Sequence, residues 1–455
     1  MKKVLLVLMI LIFTSCNRTQ ETNDINDSDV PTTTEATEPP REHREIIVAG
    51  WWQSFMDSTE EVPTPDDPGD YVTRSLQWNH LNNVVMPELN ISFTYLQLPG
   101  FEILGLVTAS VIAGAPIADM VMMPTFDVFN AALGGILQPL EDFVPAEHRI
   151  FSDQPGVIRP VFTFFDKTWT FLANHPTTHG YGLLVNLDMV NRYGLDNPVE
   201  LYERGEWTWD NFRRLMQEAT FSSTGTTIDY AGLGGDIAGM FAGMIPSNSG
   251  WMVNPNNLDL ELDSPQTIMA LEFLYDILVT DQTYARNHGD DDFPLERTLF
   301  RPFEAWQVGD VEFDFDFLPF PMGPMNTTGA TNFYTPTTAF NIPVGVEDPF
   351  FVFSAYEAFL GWCDGDLELL GSSVYQNVRA TFPTEASVQR LIQMMRFPSQ
   401  VFDPAIVMPH GFFYDTVNNM RNGFMDRTLT PASAIESFRP PLQNIINEVI
   451  EGIRT

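Results

Sequence analysis

Along most of this chain, short apolar runs of strand length alternate with stretches whose apolar residues recur at helical spacing. Glu45-Ile-Ile-Val-Ala-Gly50 is the first such run, and it opens directly into Trp51-Trp52-Gln53. Tyr71 to Leu89 carries near-helical spacing, Ile91 to Leu98 alternates as a second strand before Pro99-Gly100, and Ile103 to Ala113 reads as a helix stopped at Gly114. Ile117 to Met123 supplies a third strand, and Phe126 to Leu133 a helix ended by Gly134-Gly135. Another strand begins at Tyr181 and runs to Leu187. Strand and helix in alternation predict an α/β fold whose sheet is covered on both faces.

Farther along, Trp207-Thr208-Trp209-Asp210-Asn211-Phe212 reads as a helix start. Thr208 is the predicted N-cap and Asp210 sits favourably on the positive end of the helix dipole. Asn211 stands where a full capping box has Glu, and the helix should reach about Thr220. Trp207 and Trp209 then read as a staple packed beneath that start. Asp263-Ser264-Pro265 opens a further helix over Thr267 to Leu278. In Glu312-Phe-Asp-Phe-Asp-Phe317 strict alternation puts Phe313, Phe315 and Phe317 on one face and Glu312, Asp314 and Asp316 on a solvated one. Leu318-Pro-Phe-Pro-Met-Gly-Pro324 cannot be regular structure, because proline removes donors and glycine loosens the backbone. It is read as a crossing between lobes.

The beginning of the chain follows a different pattern. Lys2 and Lys3 precede an apolar run from Val4 to Phe13 that stops at Thr14-Ser15-Cys16. The run is about half the ~20 residues a membrane-spanning helix needs. It resembles a bacterial lipoprotein signal (residues 1–16), which implies cleavage before Cys16 and lipidation of that cysteine. Residues 17–44 are Thr, Asn, Asp, Glu and Pro with few apolar side chains, a composition that cannot bury enough surface to offset its ordering, and they read as a tether. The remaining chain, roughly 410 residues, exceeds the ~100–200 of an average domain and predicts two lobes.

Composition narrows the function. A net charge of −37, with lysine only at Lys2, Lys3 and Lys167, leaves no basic stripe for a phosphate backbone and argues against a nucleic-acid partner. After lipidation Cys363 would be the sole thiol, and its apolar setting in Phe359-Leu-Gly-Trp-Cys363 reads as buried and inert. No Gly-x-Ser-x-Gly elbow, phosphate-cradling Gly-x-x-x-x-Gly-Lys loop or His-Glu-x-x-His pair occurs. His175 and His179 are four apart, but Pro176 opposes a helical metal face, so neither metal nor cofactor is expected. With 60 acidic residues a glycosidase-like carboxylate pair stays open.

Five local patterns in one order resemble family 1 extracellular solute-binding proteins, the lipoprotein receptors of bacterial sugar importers. They are Ala113-Gly-Ala-Pro-Ile-Ala-Asp-Met-Val121, Gly135-Ile-Leu-Gln-Pro-Leu140, Tyr181-Gly-Leu-Leu-Val-Asn-Leu-Asp188, Trp207-Thr-Trp-Asp-Asn-Phe212 and Leu318-Pro-Phe-Pro-Met-Gly-Pro324. Val185 and Leu187 depart from the usual Tyr and Lys around Asn186, and Ile117-Ala118 stretches the approach to Asp119. The resemblance implies a two-lobed periplasmic-binding-protein-like fold of type II, with a ligand cleft between lobes and hinge crossings. By that analogy lobe one holds 45–160 plus 318–360, and lobe two 161–317 plus 361–455. It also implies a monomer that hands a solute to the permease and ATPase subunits of an ABC importer.

A sugar presents a C–H face and a ring of hydroxyls, so its site needs aromatic plates and a few carboxylates or amides. In open α/β sheets such groups gather outside the carboxyl ends of strands. The candidates are Trp51 and Trp52 after the first strand, and Phe126 and Asp127 at the helix start after the third. Trp251 after Ser247-Asn-Ser-Gly250, Trp306 and Tyr334 complete the set. The primary reading is an anchored receptor that captures a mono- or oligosaccharide by lobe closure outside the cytoplasm. A surface enzyme acting on glycans, or a ligand sensor that docks to a signalling receptor, are the alternatives.

Overall fold

The computed structural model describes residues 42–454, apart from 52–57, 59, 66–70, 153–155, 165, 176–180, 226–227, 236, 255–256, 286–292, 305–310, 330, 332–337, 396–402, 404, 406–407 and 409–411. Cys16, Trp52, His179, Trp306 and Tyr334 therefore lie outside the described residues, as does nearly all of the proposed tether.

Eleven strands can be followed: β1 Arg44–Gly50, β2 Ile91–Gln97, β3 Met120–Pro124, β4 Leu137–Gln138, β5 Ile158–Phe164, β6 Lys167–Ala173, β7 Tyr181–Asn186, β8 Ala231–Leu233, β9 Thr298–Glu304, β10 Phe315–Leu318 and β11 Thr338–Pro343. They form two sheets. The first runs β2-β1-β3-β11-β6-β5, with β4 paired to β11, and the second runs β10-β7-β9-β8. In the first sheet β2, β1 and β3 are parallel, joined by helices as such connections require, and β11 lies antiparallel between β3 and β6. The predicted α/β class and the two sheets agree.

Each sheet organises its own core. Ile46, Val48, Met120 and Met122 pack with Phe353, Phe359 and Trp362 under the first sheet, and Cys363 is buried among them. Burial raises the Cys363 thiol pKa, which leaves it the inert group its sequence context predicted. Leu183, Val185, Phe212, Phe241 and Phe300 anchor the core of the second sheet, while Phe303, Phe313, Phe315 and Phe317 form a separate cluster with the helices that follow Leu367. Phe129, on the helix Thr125–Leu133 beneath the first sheet, and Phe162 of β5 reach over into the second sheet's core. The same helix also packs on the long C-terminal helix Pro431–Arg454.

Most predicted elements form where the pattern placed them, with informative differences. The helix predicted over 71–89 is broken by a π turn at Leu81–Val85 between Tyr71–His80 and Met86–Leu89, and a second π turn at Asp276–Thr280 extends the helix Pro265–Tyr275. Ser264 caps the latter by accepting from the Thr267 N–H at 3.2 Å, as predicted. Thr208 occupies the N-cap of Trp209–Ala219 but its side chain makes no capping bond. Asp316 is not on a solvated face: it is 5% exposed and accepts from Arg390 Nη1 at 2.8 Å, because the helix Glu385–Met395 covers that side of β10.

The Leu318–Pro324 segment is not a crossing. Phe320 is fully buried in the second core, Trp207 Nε1 donates to the Pro319 carbonyl at 2.8 Å, and the Met322 and Gly323 N–H groups donate to Trp207 and Ser247 carbonyls. The passage back to the first sheet falls later, before Thr338. Gly243 of the helix Ile237–Ser247 lets the Phe320 ring lie on it, since a Cβ there would sit 2.2 Å from a ring carbon. Gly243→Ala is therefore expected to lower the melting temperature by several degrees through overpacking, at a cost of about 1–3 kcal/mol measured by denaturant unfolding.

Candidate binding site at the sheet edge

Strand direction defines the edge where a site can form. β6 runs parallel to β3, since both are antiparallel to β11, so the carboxyl ends of β2, β1, β3 and β6 share one edge with the beginning of β11. From that edge the chain leaves Ala173 for β7 of the second sheet. At the second sheet Tyr181 at the start of β7 pairs with Glu304 at the end of β9, and Leu183 pairs with Leu318 at the end of β10. The strand ends nearest the crossings thus belong to both sheets.

Trp51 and Asp127 both lie on the first sheet's part of this edge. Trp51 follows β1 and is half-buried against the apolar side chains of two core clusters. Its ring rests on Gly100, where a Cβ would approach Trp51 Cε3 to 2.2 Å. The turn is fixed by the Gly50 carbonyl, which accepts from Leu98 N–H at 2.7 Å and from the Tyr95 hydroxyl at 2.8 Å. Gly100→Ala is expected to displace the ring and change the near-UV circular dichroism of tryptophan, with little loss of helix or strand signal.

Phe126 and Asp127 fall in the first turn of Thr125–Leu133, immediately after β3. The Asp127 carboxyl is partly buried, and burial pushes its pKa up to about 6, well above an exposed aspartate. A carboxylate held partly out of water suits a hydroxyl-bearing ligand, because the ligand restores the hydrogen bonds that burial removed.

On the second-lobe side Trp251 lies just past the helix Ile237–Ser247 and is half-buried. Its backbone is clamped by Thr267, whose Oγ1 accepts from the Trp251 N–H at 3.1 Å and donates to the Trp251 carbonyl at 2.8 Å. The next two N–H groups, of Met252 and Val253, donate to the buried carboxylate of Asp403 at 2.7 and 3.3 Å, and Ala405 N–H joins them at 2.9 Å. Sequence reasoning missed Asp403, which stands in Phe402-Asp403-Pro404 with no helix or strand pattern to mark it. Thus Trp51 and Asp127 share an edge, while Trp251 is held by a separate, braced loop.

The residues that carried the family resemblance turn out to be scaffold. Asp119 accepts from Arg44 Nη2 and from the Ile47 N–H, both at 2.9 Å, tying β1 to the start of β3. Asn186 caps the helix Leu187–Tyr193 by accepting from Met189 N–H at 2.8 Å. Trp207 and Trp209 are buried, as the staple reading expected, and Trp209 stacks on Phe273 with ring centroids 4.5 Å apart. Gly323 leaves room for Asn248, whose Oδ1 accepts from Met325 N–H at 2.8 Å. Among the described residues no cluster of His, Cys, Asp or Glu is arranged to hold a metal ion, and no helix is long and apolar enough to cross a membrane.

Two α/β sheets linked by chain crossings give the fold of the two-lobed periplasmic binding proteins. Residues 89–291 match the family model described as bacterial extracellular solute-binding protein. Among solved structures it is similar to the maltose/maltodextrin-binding domain MalE from Bdellovibrio bacteriovorus bound to maltotriose, at 13% identity and a TM-score of 0.55, covering 90% of this chain and 100% of that one. It is similar also to a cyclo/maltodextrin-binding protein complexed with maltotetraose, at 13% identity, a TM-score of 0.60 and 89% and 97% coverage. UgpB from Mycobacterium tuberculosis in complex with glycerophosphocholine matches at 16% identity, a TM-score of 0.56 and 83% and 97% coverage. No curated protein sequence matches the chain. The proteins it resembles are solute-binding proteins rather than enzymes.

Proposed function

We propose that this chain is the receptor of an ABC importer, held outside the cytoplasm by a lipid on Cys16, that captures a neutral mono- or oligosaccharide between two closing lobes. The observation that carries the reading is that Trp51, seated on Gly100, and the half-buried Asp127 follow strands whose carboxyl ends lie on one sheet edge. The family-model match over residues 89–291 and the sugar-bound neighbours support it. Trp52, Phe126, Trp251, Trp306 and Tyr334 are assigned to the same cleft. The first lobe would comprise β1 to β6 and β11 with their helices, and the second the remaining strands and the helices after about Leu370. Closure is a population shift, since only the closed state lets the ligand touch both lobes. A working affinity near micromolar corresponds to about −8 kcal/mol.

A thermal-shift screen against sugars, polyols, amino acids and phosphorylated solutes, with the supernatant assayed for products, tests the proposal. Stabilisation by one sugar class with the sugar recovered intact supports it; recovered cleavage products would replace it with a glycan-active enzyme. Asp127 gives a sharper check. As an ionised acceptor it should hold hydroxyls tightly above pH 6, so affinity should fall several-fold as pH drops through 6, and Asp127→Asn should flatten that profile. Titration calorimetry at a series of pH values reads both.

A further inference from the structure

A cavity opens at the end of the second sheet away from the crossings, about 700 Å³ in volume, within the roughly 300–1,000 Å³ typical of small-ligand sites. Tyr230 stands just before β8 and Glu296 and Arg297 just before β9, so the cavity lies at the amino ends of these parallel strands, away from the crossings. It is a different place from the cleft edge.

The lining is half charged and half apolar, two of its apolar members being aromatic. Phe221 remains 54% exposed and Leu295 58%, unusual for large apolar side chains placed side by side. The backbone around Phe221 is nonetheless ordered: its N–H donates to the Tyr230 carbonyl at 2.8 Å and its carbonyl accepts from Asp229 and Tyr230 N–H groups. Tyr230 meets Tyr193 edge to face at 6.1 Å, which fixes the second ring. Glu296 holds a left-handed backbone with φ of 56°, a strained conformation for a residue other than glycine, and its carboxylate pairs with Arg192 Nη2 at 2.6 Å.

Charge selects the ligand class. The lining carries two arginines, Arg192 and Arg297, and two acids, Asp229 and Glu296, so it is formally neutral on a chain of net charge −37. A phosphate or other anion would meet no net positive field there, and a cation no net negative one. Planar guanidinium and carboxylate groups beside an exposed ring match adjacent hydroxyls and a C–H face. We propose that this cavity is a second carbohydrate site, taking a short neutral oligosaccharide on Phe221 and Tyr230 while the Arg192–Glu296 pair and its neighbours bind the hydroxyls.

The inference stands apart from the cleft reading, and calorimetry separates the two. The full chain would be titrated with cellotetraose, maltotetraose, mannotetraose and xylotetraose, in the wild type, Phe221→Ala and Phe221→Trp. Expected is a site weakened about tenfold by Phe221→Ala, equivalent to ~1.4 kcal/mol, and restored by Phe221→Trp. Two sugars per chain with only one sensitive to Phe221 supports both sites. One sugar lost with Phe221 keeps this site and removes the cleft's. Binding indifferent to Phe221 in every case, or no binding of any of the four, overturns the proposal.

Discussion

Arg390→Met is expected to destabilise the fold by about 3–5 kcal/mol, because it strands an ionised carboxylate in the interior. Arg390 and Asp316 are each 8% exposed at the side chain and 2.8 Å apart. The same Nη1 also donates to the Phe317 carbonyl at 3.0 Å, and the guanidinium lies over the Tyr202 ring at 5.6 Å. Deleting the cation removes all of these and leaves Asp316 with the Phe317 N–H as its remaining described donor. Replacing both partners, as Asp316→Leu with Arg390→Met, should recover most of the loss, since a buried pair stabilises little relative to a well-packed apolar one. Urea unfolding of the two single variants and the double variant measures the coupling. A double variant whose loss equals the sum of the two single losses would show that the pair is not coupled.

Asp403 should make stability fall as pH rises. Burial is the dominant influence on it and pushes its pKa up to about 6, against the three backbone N–H donors that favour the carboxylate and with Glu261 adding repulsion. Between pH 4 and 6 the folded chain holds a proton that the unfolded chain has already released, so the stabilisation present at low pH is lost as pH climbs through 6. The shift corresponds to about 3 kcal/mol. Asp403→Asn cannot titrate, so the stability difference between wild type and variant should move by about that amount towards the variant from pH 4 to pH 7. A difference curve that stays flat would show that the carboxyl is ionised throughout. The amide would also place a donor against the Met252 or Val253 N–H and loosen the loop that follows Trp251.

How far the sequence reached depends on what each residue does locally. The β1, β2, β7 and helix Trp209–Ala219 assignments followed from periodicity, because their apolar faces meet the core one residue at a time. The family motifs were readable because Asp119, Asn186, Trp207 and Gly323 satisfy backbone groups or steric gaps any member of the fold must fill. For that very reason they say little about cargo. Asp316 was misread because alternation records which residues share a face, not what lies across from it; the covering helix comes some 70 residues later. Asp403 was invisible for a related reason, its partners Met252 and Val253 being supplied by a loop far earlier in the chain. Trp51 and Asp127 could be placed from sequence because they follow strands directly, where an α/β sheet exposes its chemistry.

Asp127 and Phe129 stand two residues apart on one nine-residue helix, the first at the sheet edge and the second in the core of the opposite sheet. A helix this short, roughly 13 Å long, moves as a piece. Any rocking of one lobe against the other that repacks Phe129 must therefore carry Asp127 with it. On the proposed receptor reading, substitutions at Phe129 or at Phe162, which shares its cluster, retune affinity while leaving the candidate ligand-facing side chains as they are. Descendants of such a protein have a route to new affinities that does not pass through new specificities.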